Sequence, residues 1–258
     1  MTENDDSDGS TPAAIVSLHI LNALAAAPEG LGVTQLASVL GMPKARVHRH
    51  LGALRAHGYV MQEAPTSVYR VGWRLYLLGQ ACAAHFDVMT LAKPALERLR
   101  DRVAQTIVIA TFDGDDVVVL DFLRGTSPVE ITLRPGTRFP LHAVAQGKVV
   151  LAYGPAGLLD RIASAPLNAL TPRTIIDPER LRIEVELVKR RGWADAPEEL
   201  FLGINALAAP IHQGDGALFG TVAIIGSVHY LPAAPDPAHV ELLRETARAI
   251  SEAMGFRP

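Results

Sequence analysis

The sequence predicts an α+β protein in two parts: an N-terminal winged helix-turn-helix, joined by a helical linker to a larger domain built on an antiparallel sheet. Three observations carry this reading. A helix, a short glycine-containing turn and a basic helix follow one another within residues 13–58 and run straight into a short hairpin. Beyond residue 94, β-branched runs closed by turn residues alternate with long amphipathic helices. The charge is also divided. Residues 1–10 are acidic, whereas residues 11–80 set Lys44, Arg46, Arg49, Arg55, Arg70 and Arg74 against Glu29 and Glu63. A basic segment between an acidic tail and a mildly acidic body points to one localised polyanion-binding surface.

Residues 1–12 are expected to be a disordered acidic tail, and residues 13–78 the first domain. Ile15, Leu18, Leu21 and Leu24, with Ile20 beside them, recur at helical spacing, and Pro28 and Gly30 close that helix. A second helix is expected to begin at Thr34 as its N-cap, continue through Gln35 and stop at Gly41. The third runs from Lys44 to about His57. Val47, Leu51 and Leu54 form its apolar stripe, and Lys44, Arg46, His48, Arg49 and Arg55 fall mainly off it. A helix with one buried face and one basic, hydrogen-bonding face suits the major groove of double-stranded DNA. Thr34 and Gln35 join these five as candidate DNA contacts. Residues 59–62 and 68–71 then read as two short strands around the turn 63–67, the wing.

The stretch 75–84 is apolar almost all round and should be covered, either by its own chain or by the same helix of a second copy. It leads into a linker helix over residues 79–93. In the domain spanning 94–258, Pro94 is expected in the first turn of a helix carrying Leu96, Leu99 and Val103. Residues 106–112 and 117–122 make a hairpin around an Asp-Gly turn, and the alternation of 129–133 predicts a third strand. A helix after Gly147, another over 178–191, strands near 205–211 and 218–226, and a final helix over 237–254 complete the domain.

Several chemistries find no support in the sequence. No apolar run approaches the ~18 residues of a membrane span, and the acidic N-terminus is unlike a signal peptide, so a cytoplasmic location without membrane contact is expected. Cys82 is the single cysteine and reads as a small buried hydrophobe. The nine histidines show no metal-ligand spacing. Gly147-Lys148 lacks the Ser or Thr of a phosphate-binding loop, and Asp113, Asp115 and Asp116 sit on a hairpin turn. No acid–histidine–nucleophile set is legible, so neither catalysis nor a cofactor is expected. Two other readings stand beside a ligand-gated DNA-binding protein. One is an enzyme acting on a small acid, with the first domain as a tether. The other is an architectural DNA-binding protein whose second domain only oligomerises.

Five segments, in order, resemble the IclR family of bacterial regulators: VTQLASVLGMPKARVHRHLGALRAHGYV, YRVGWRLYLLG, PLHAVAQGKVVLA, RRGWADAPEE and GINALAAPI. The resemblance covers about residues 13–255. It implies a winged helix-turn-helix, a helical linker, a GAF-like domain that binds a small-molecule effector, and dimers that often pair into tetramers. Two departures matter. Arg46 stands early in the recognition helix, where the family often has Thr or Ser, and offers a fork able to take a guanine edge or a phosphate.

The second departure lies in the effector pocket. In members that sense small oxo-acids such as glyoxylate, a Cys usually stands where this chain has Ala206, two serines align with Ala223 and Ile225, and an acid aligns with Ala196, beside Asp195. Replacing those polar groups by apolar ones implies a larger, more apolar effector, such as an aromatic acid or another catabolic intermediate. Gln146 is the candidate for a remaining polar contact, with His142 assisting and Ala145 beside it at the start of the helix. Backbone N–H groups there are available to a carboxylate.

Overall fold

The structure, a computed structural model, describes residues 13–63, 67–83 and 88–257. The acidic tail of residues 1–12, the centre of the wing turn and residues 84–87 of the linker lie outside the described residues. Contacts divide the chain into two units, Met1–Phe86 and Asp87–Pro258.

The first unit contains α1 (Ala13–Ala25), α2 (Val33–Leu40), α3 (Lys44–Ala56), the antiparallel strands β1 (Val60–Glu63) and β2 (Val68–Val71), and α4 (Trp73–Ala83). Its core is Val16, Ile20, Leu24, Leu36, Val47, Leu51, Val60 and Tyr69. The buried stripe of α1 is 16, 20 and 24; of the expected residues, Ile20 and Leu24 are buried, Leu21 partly so, and Ile15 and Leu18 exposed. Two stripes of similar hydrophobicity lie side by side on this helix, and packing on α3 and β2 chose between them.

The N-cap of α2 lies two residues earlier than expected. Gly32 is its N-cap, and Thr34 lies inside the first turn with no cap bond. The cap is made in reverse, by Gln35 Oε1 accepting the Gly32 N–H at 2.8 Å. Gly41 then ends the helix at φ 60°, the left-handed turn that a side chain would resist. A single bridge between Leu31 and Tyr69 adds a third edge to the wing.

Helix α4 corrects one expectation. Cys82 is exposed rather than buried. Trp73, Tyr76, Leu77 and Leu78 are also exposed and Leu75 is partly so, so the described residues leave most of this apolar helix uncovered.

The second unit is a six-stranded antiparallel sheet in the order β5-β4-β3-β8-β7-β6. Its elements are α5 (Val88–Val103), β3 (Thr106–Asp113), β4 (Asp116–Leu123), β5 (Arg138–Pro140), α6 (Ala145–Tyr153), α7 (Leu158–Ala163), α8 (Pro178–Arg191), β6 (Ala194–Asp195), β7 (Ile204–His212), β8 (Leu218–Ser227) and α9 (Pro237–Ala253). Strand periodicity sorts the side chains by face. Ile107, Ile109, Leu207, Ala209, Val222 and Ile224 form one core with Leu96, Leu99 and Val103 of α5 and with Leu243, Ala247 and Ile250 of α9. On the opposite face Ala208 and Ala223, paired across β7 and β8, meet Ala145 and Val149 of α6 and Val188 of α8. These small residues let α6 lie close to the sheet.

Two local expectations are overturned here. Helix α5 starts at Val88, so Pro94 sits inside it rather than in its first turn. Residues 129–133 form no strand; β5 occupies the edge beside β4. Their alternation points Ile131 and Leu133 inward, while Val129 is exposed. The three aspartates of the β3–β4 turn are held by arginines: Arg138 bonds Asp113 and Asp116, and Arg161 pairs with Asp115. No group of metal ligands and no helix long and apolar enough to cross a membrane occurs among the described residues.

Candidate functional site

In the first unit the site is the outward face of α3. Val47 and Leu51 are buried and Leu54 partly so, which turns Lys44, Ala45, His48, Arg49, Gly52 and Ala53 to solvent. Arg46 lies at the margin, partly exposed. Small side chains at 45, 52 and 53 leave the helix backbone free to approach a partner closely, with Lys44, His48 and Arg49 projecting around them. Of the other candidate contacts, Thr34 is exposed at the start of α2, whereas the Gln35 carbonyl is engaged in the cap. Arg55 Nη1 donates to Gln62 Oε1 at 2.5 Å, which ties the end of α3 to the wing.

His50 is a residue that charge reading alone overlooks. It is buried and its Nδ1 lies 2.9 Å from Ser17 Oγ, fastening α3 to α1. Burial, with the nearby Arg49 and Arg46 cations, holds its pKa below the ordinary histidine value of 6.5. The ring is therefore neutral beneath the basic face.

In the second unit a cavity of about 80 Å³ opens between the start of α6, the ends of β7 and β8, and two loops. Ala143, Val144 and Gln146 form one side; Ala196, Ala206 and Ile225 form the floor. Ile131, Leu133 and Phe139 close one wall, and Leu200, Phe201 and Ile204 the other. Four sequence candidates, Gln146, Ala196, Ala206 and Ile225, thus meet at one surface. The remaining four lie elsewhere. Ala145 and Ala223 are packed beneath it with no exposure. His142 Nε2 is 3.0 Å from the Asn168 carbonyl, and the Asp195 carboxylate pairs with Arg191.

The polar capacity of the cavity is unevenly spent. Asn205 is saturated, donating to the Leu231 and Pro232 carbonyls while its Oδ1 accepts the Ala206 N–H. Gln146 is 3% exposed, yet its amide makes no hydrogen bond among the described residues. At the same end Val144 offers no side-chain cap to the first N–H groups of α6, which, as at any helix start, have no intrahelical acceptor. Gly147 keeps this end compact. A Cβ there would lie 2.0 Å from the Leu141 carbonyl oxygen, so only glycine lets the 141–143 turn fold onto α6.

The next residue, Lys148, is 1% exposed. Its Nζ donates to Glu199 Oε1 at 2.5 Å and to the Asp195 carbonyl at 2.9 Å. Burial pushes the Glu199 carboxyl above the ordinary glutamate range, against the pull of the Lys148 cation. Thr171 and Thr174 hold the backbone of the same loop, their hydroxyls donating to the Glu198 and Glu199 carbonyls at 2.6 and 2.7 Å. Sequence reading missed this loop because its apolar residues, Leu200 and Phe201, follow no period.

A winged helix-turn-helix with a basic outward helix, followed by a separate α+β domain holding a lined cavity, defines a DNA-binding transcriptional regulator with an effector domain. The chain belongs to the IclR family. Residues 80–252 match the family described as bacterial transcriptional regulator IclR C-terminal, and residues 13–64 match the IclR helix-turn-helix domain. Among curated relatives, the HTH-type transcriptional repressor AllR of Klebsiella pneumoniae is 29% identical over 227 residues, covering 88% of this chain and 84% of its own.

Among solved structures, an IclR regulator from Alicyclobacillus acidocaldarius has a TM-score of 0.82 at 24% identity, covering 95% of this chain and all 100% of its own. An IclR homolog from Microbacterium hydrocarbonoxydans, complexed with 4-hydroxybenzoate, has a TM-score of 0.83 at 22% identity and covers 94% and 99%. Both share the fold.

Proposed function

We propose that this regulator binds its operator as a homodimer, and that a small apolar carboxylic acid in the cavity changes that binding. The observation that carries the reading is the cavity itself: a nearly all-apolar wall with one uncommitted amide at the start of α6, where no side chain caps the helix. The N–H groups take the carboxylate, and the apolar walls take the body. The regulator bound to 4-hydroxybenzoate, of the same fold, supports an aromatic acid as the kind of molecule involved.

At about 80 Å³ the cavity is smaller than the roughly 150 Å³ void that accepts benzene, so a ligand of that size pushes its walls apart. The walls that yield are the loops bearing Ile131 and Leu133 and bearing Leu200 and Phe201. Such displacement is the differential interaction through which a ligand shifts populations between DNA-binding states. In the first unit, Lys44, Arg46, His48 and Arg49 contact bases and phosphates, and Thr34 contacts a phosphate. Arg55 and Gln35 support the surface from their bonds to the wing and the cap.

The uncovered apolar residues of α4, with Ile15 and Leu18 of α1, are the surface a second copy covers. Two heads then read a two-fold site, and dimers pair into tetramers. The protein acts in the cytoplasm and does not transform its ligand.

The test is binding to DNA from upstream of its own gene, titrated with salt, for wild type, Arg46→Ala and Arg49→Ala. The expected result is nanomolar affinity whose logarithm falls by about 0.9 per neutralised phosphate with log salt, and which is lost in the variants. Equal affinity in all three overturns the assignment of α3. Adding benzoate or 4-hydroxybenzoate then shifts the binding curve; no shift with any small acid overturns the role given to the cavity.

A further inference from the structure

We infer that Gln146 selects for acids carrying a hydrogen-bond donor, a hydroxyl or N–H, in addition to the carboxylate. The inference rests on the cavity being the ligand site. Gln146 lies 97% out of solvent at the cavity surface, and neither end of its amide has a partner among the described residues. An amide needs both an acceptor for its N–H groups and a donor for its Oε1. A carboxylate satisfies only the first, since an ionised carboxylate accepts and never donates.

Asn205, the other polar side chain of the wall, has no exposure, and its amide is held in place by the Leu231 and Pro232 carbonyls and the Ala206 N–H. The rest of the wall is Ile131, Leu133, Phe139, Leu200, Phe201 and their apolar neighbours. The α6 N-terminus offers N–H groups only, which suit the carboxylate and compete for it with the Gln146 N–H. The Gln146 amide keeps a small residual contact with solvent; a ligand that fills the cavity without a donor cuts Oε1 off from that water and leaves it unpaired, a loss felt as a penalty rather than as a missing bonus. A hydroxy or amino acid with an apolar body satisfies both ends of the amide, so the donor group is what the site discriminates.

The experiment is calorimetric titration of the full chain with matched pairs: benzoate against 3- and 4-hydroxybenzoate, and phenylacetate against mandelate. Wild type is compared with Gln146→Leu and Gln146→Met, both close in volume and checked for folding by circular dichroism. For wild type, at least one hydroxylated member is expected to bind about tenfold or more tightly than its parent acid. In both variants that preference disappears while the parent acid binds at least as well. Parent and hydroxylated acids binding alike to wild type, or a preference that survives in both variants, overturns the role of Gln146 and leaves the cavity as the ligand site. Failure of every acid in the panel to bind overturns the cavity reading and the inference with it.

Discussion

Lys148 Nζ lies 2.5 Å from Glu199 Oε1, both side chains buried, and this pair ties the helix at the cavity mouth to the loop that forms its wall. Glu199 Oε2 has no hydrogen-bond partner among the described residues, so the pair is only partly compensated. Removing one member strands the other charge. Lys148→Met is expected to destabilise the protein by about 3–5 kcal/mol in urea unfolding, and Lys148→Met combined with Glu199→Leu to recover most of that. The pH dependence has a definite sign. Burial already holds the Glu199 pKa above its unfolded value of 4.5, and losing the Lys148 cation raises it further. A group with a raised folded pKa contributes stability that is full below the unfolded value and is lost as pH rises through the folded one. Lys148→Met should therefore regain stability relative to wild type as the pH is lowered towards 4.5. A deficit that does not change with pH would show that Glu199 is not the group left uncompensated.

Gly147→Ala tests the compact start of α6. The new methyl would meet a backbone carbonyl at 2.0 Å, and neither that carbonyl nor the helix can give way cheaply. A loss of about 3 kcal/mol is expected from overpacking, with ligand affinity falling alongside it. A variant as stable as wild type would mean that the 141–143 turn is free to move off the helix.

His50 makes the DNA-binding unit acid-sensitive. Its folded pKa lies below 6.5 because burial and two arginines oppose its protonation. The unfolded chain takes up the proton first as pH falls below 6.5, so stability present above that value is lost on acidification through the folded pKa. Thermal unfolding followed by circular dichroism should show a falling midpoint between about pH 7 and 5, and His50→Gln should flatten that slope. An unchanged slope in His50→Gln would assign the sensitivity to other groups.

Where one residue spacing admits one packing, the sequence alone determined the outcome. Asp-Gly at 113–114 closes the β3–β4 hairpin, Gly192 ends α8 at φ 80°, and Val47 and Leu51 turn the bases of α3 outward. Ala196, Ala206 and Ile225, aligned through the resemblance, and Gln146, singled out by its place at the start of the helix, line one cavity.

Only the tertiary structure decided what depends on a distant partner. The buried stripe of α1 was chosen by α3 and β2 from two that periodicity could not separate. The alternation of 129–133, indistinguishable from a strand in sequence, became a cavity wall because β5 took the edge it would have paired with. Lys148 and Glu199 stand 51 residues apart, and no local pattern announces that they meet. Local rules act through neighbours on one helix or strand, whereas a cavity is the space left between elements, and its shape exists only once all of them have packed.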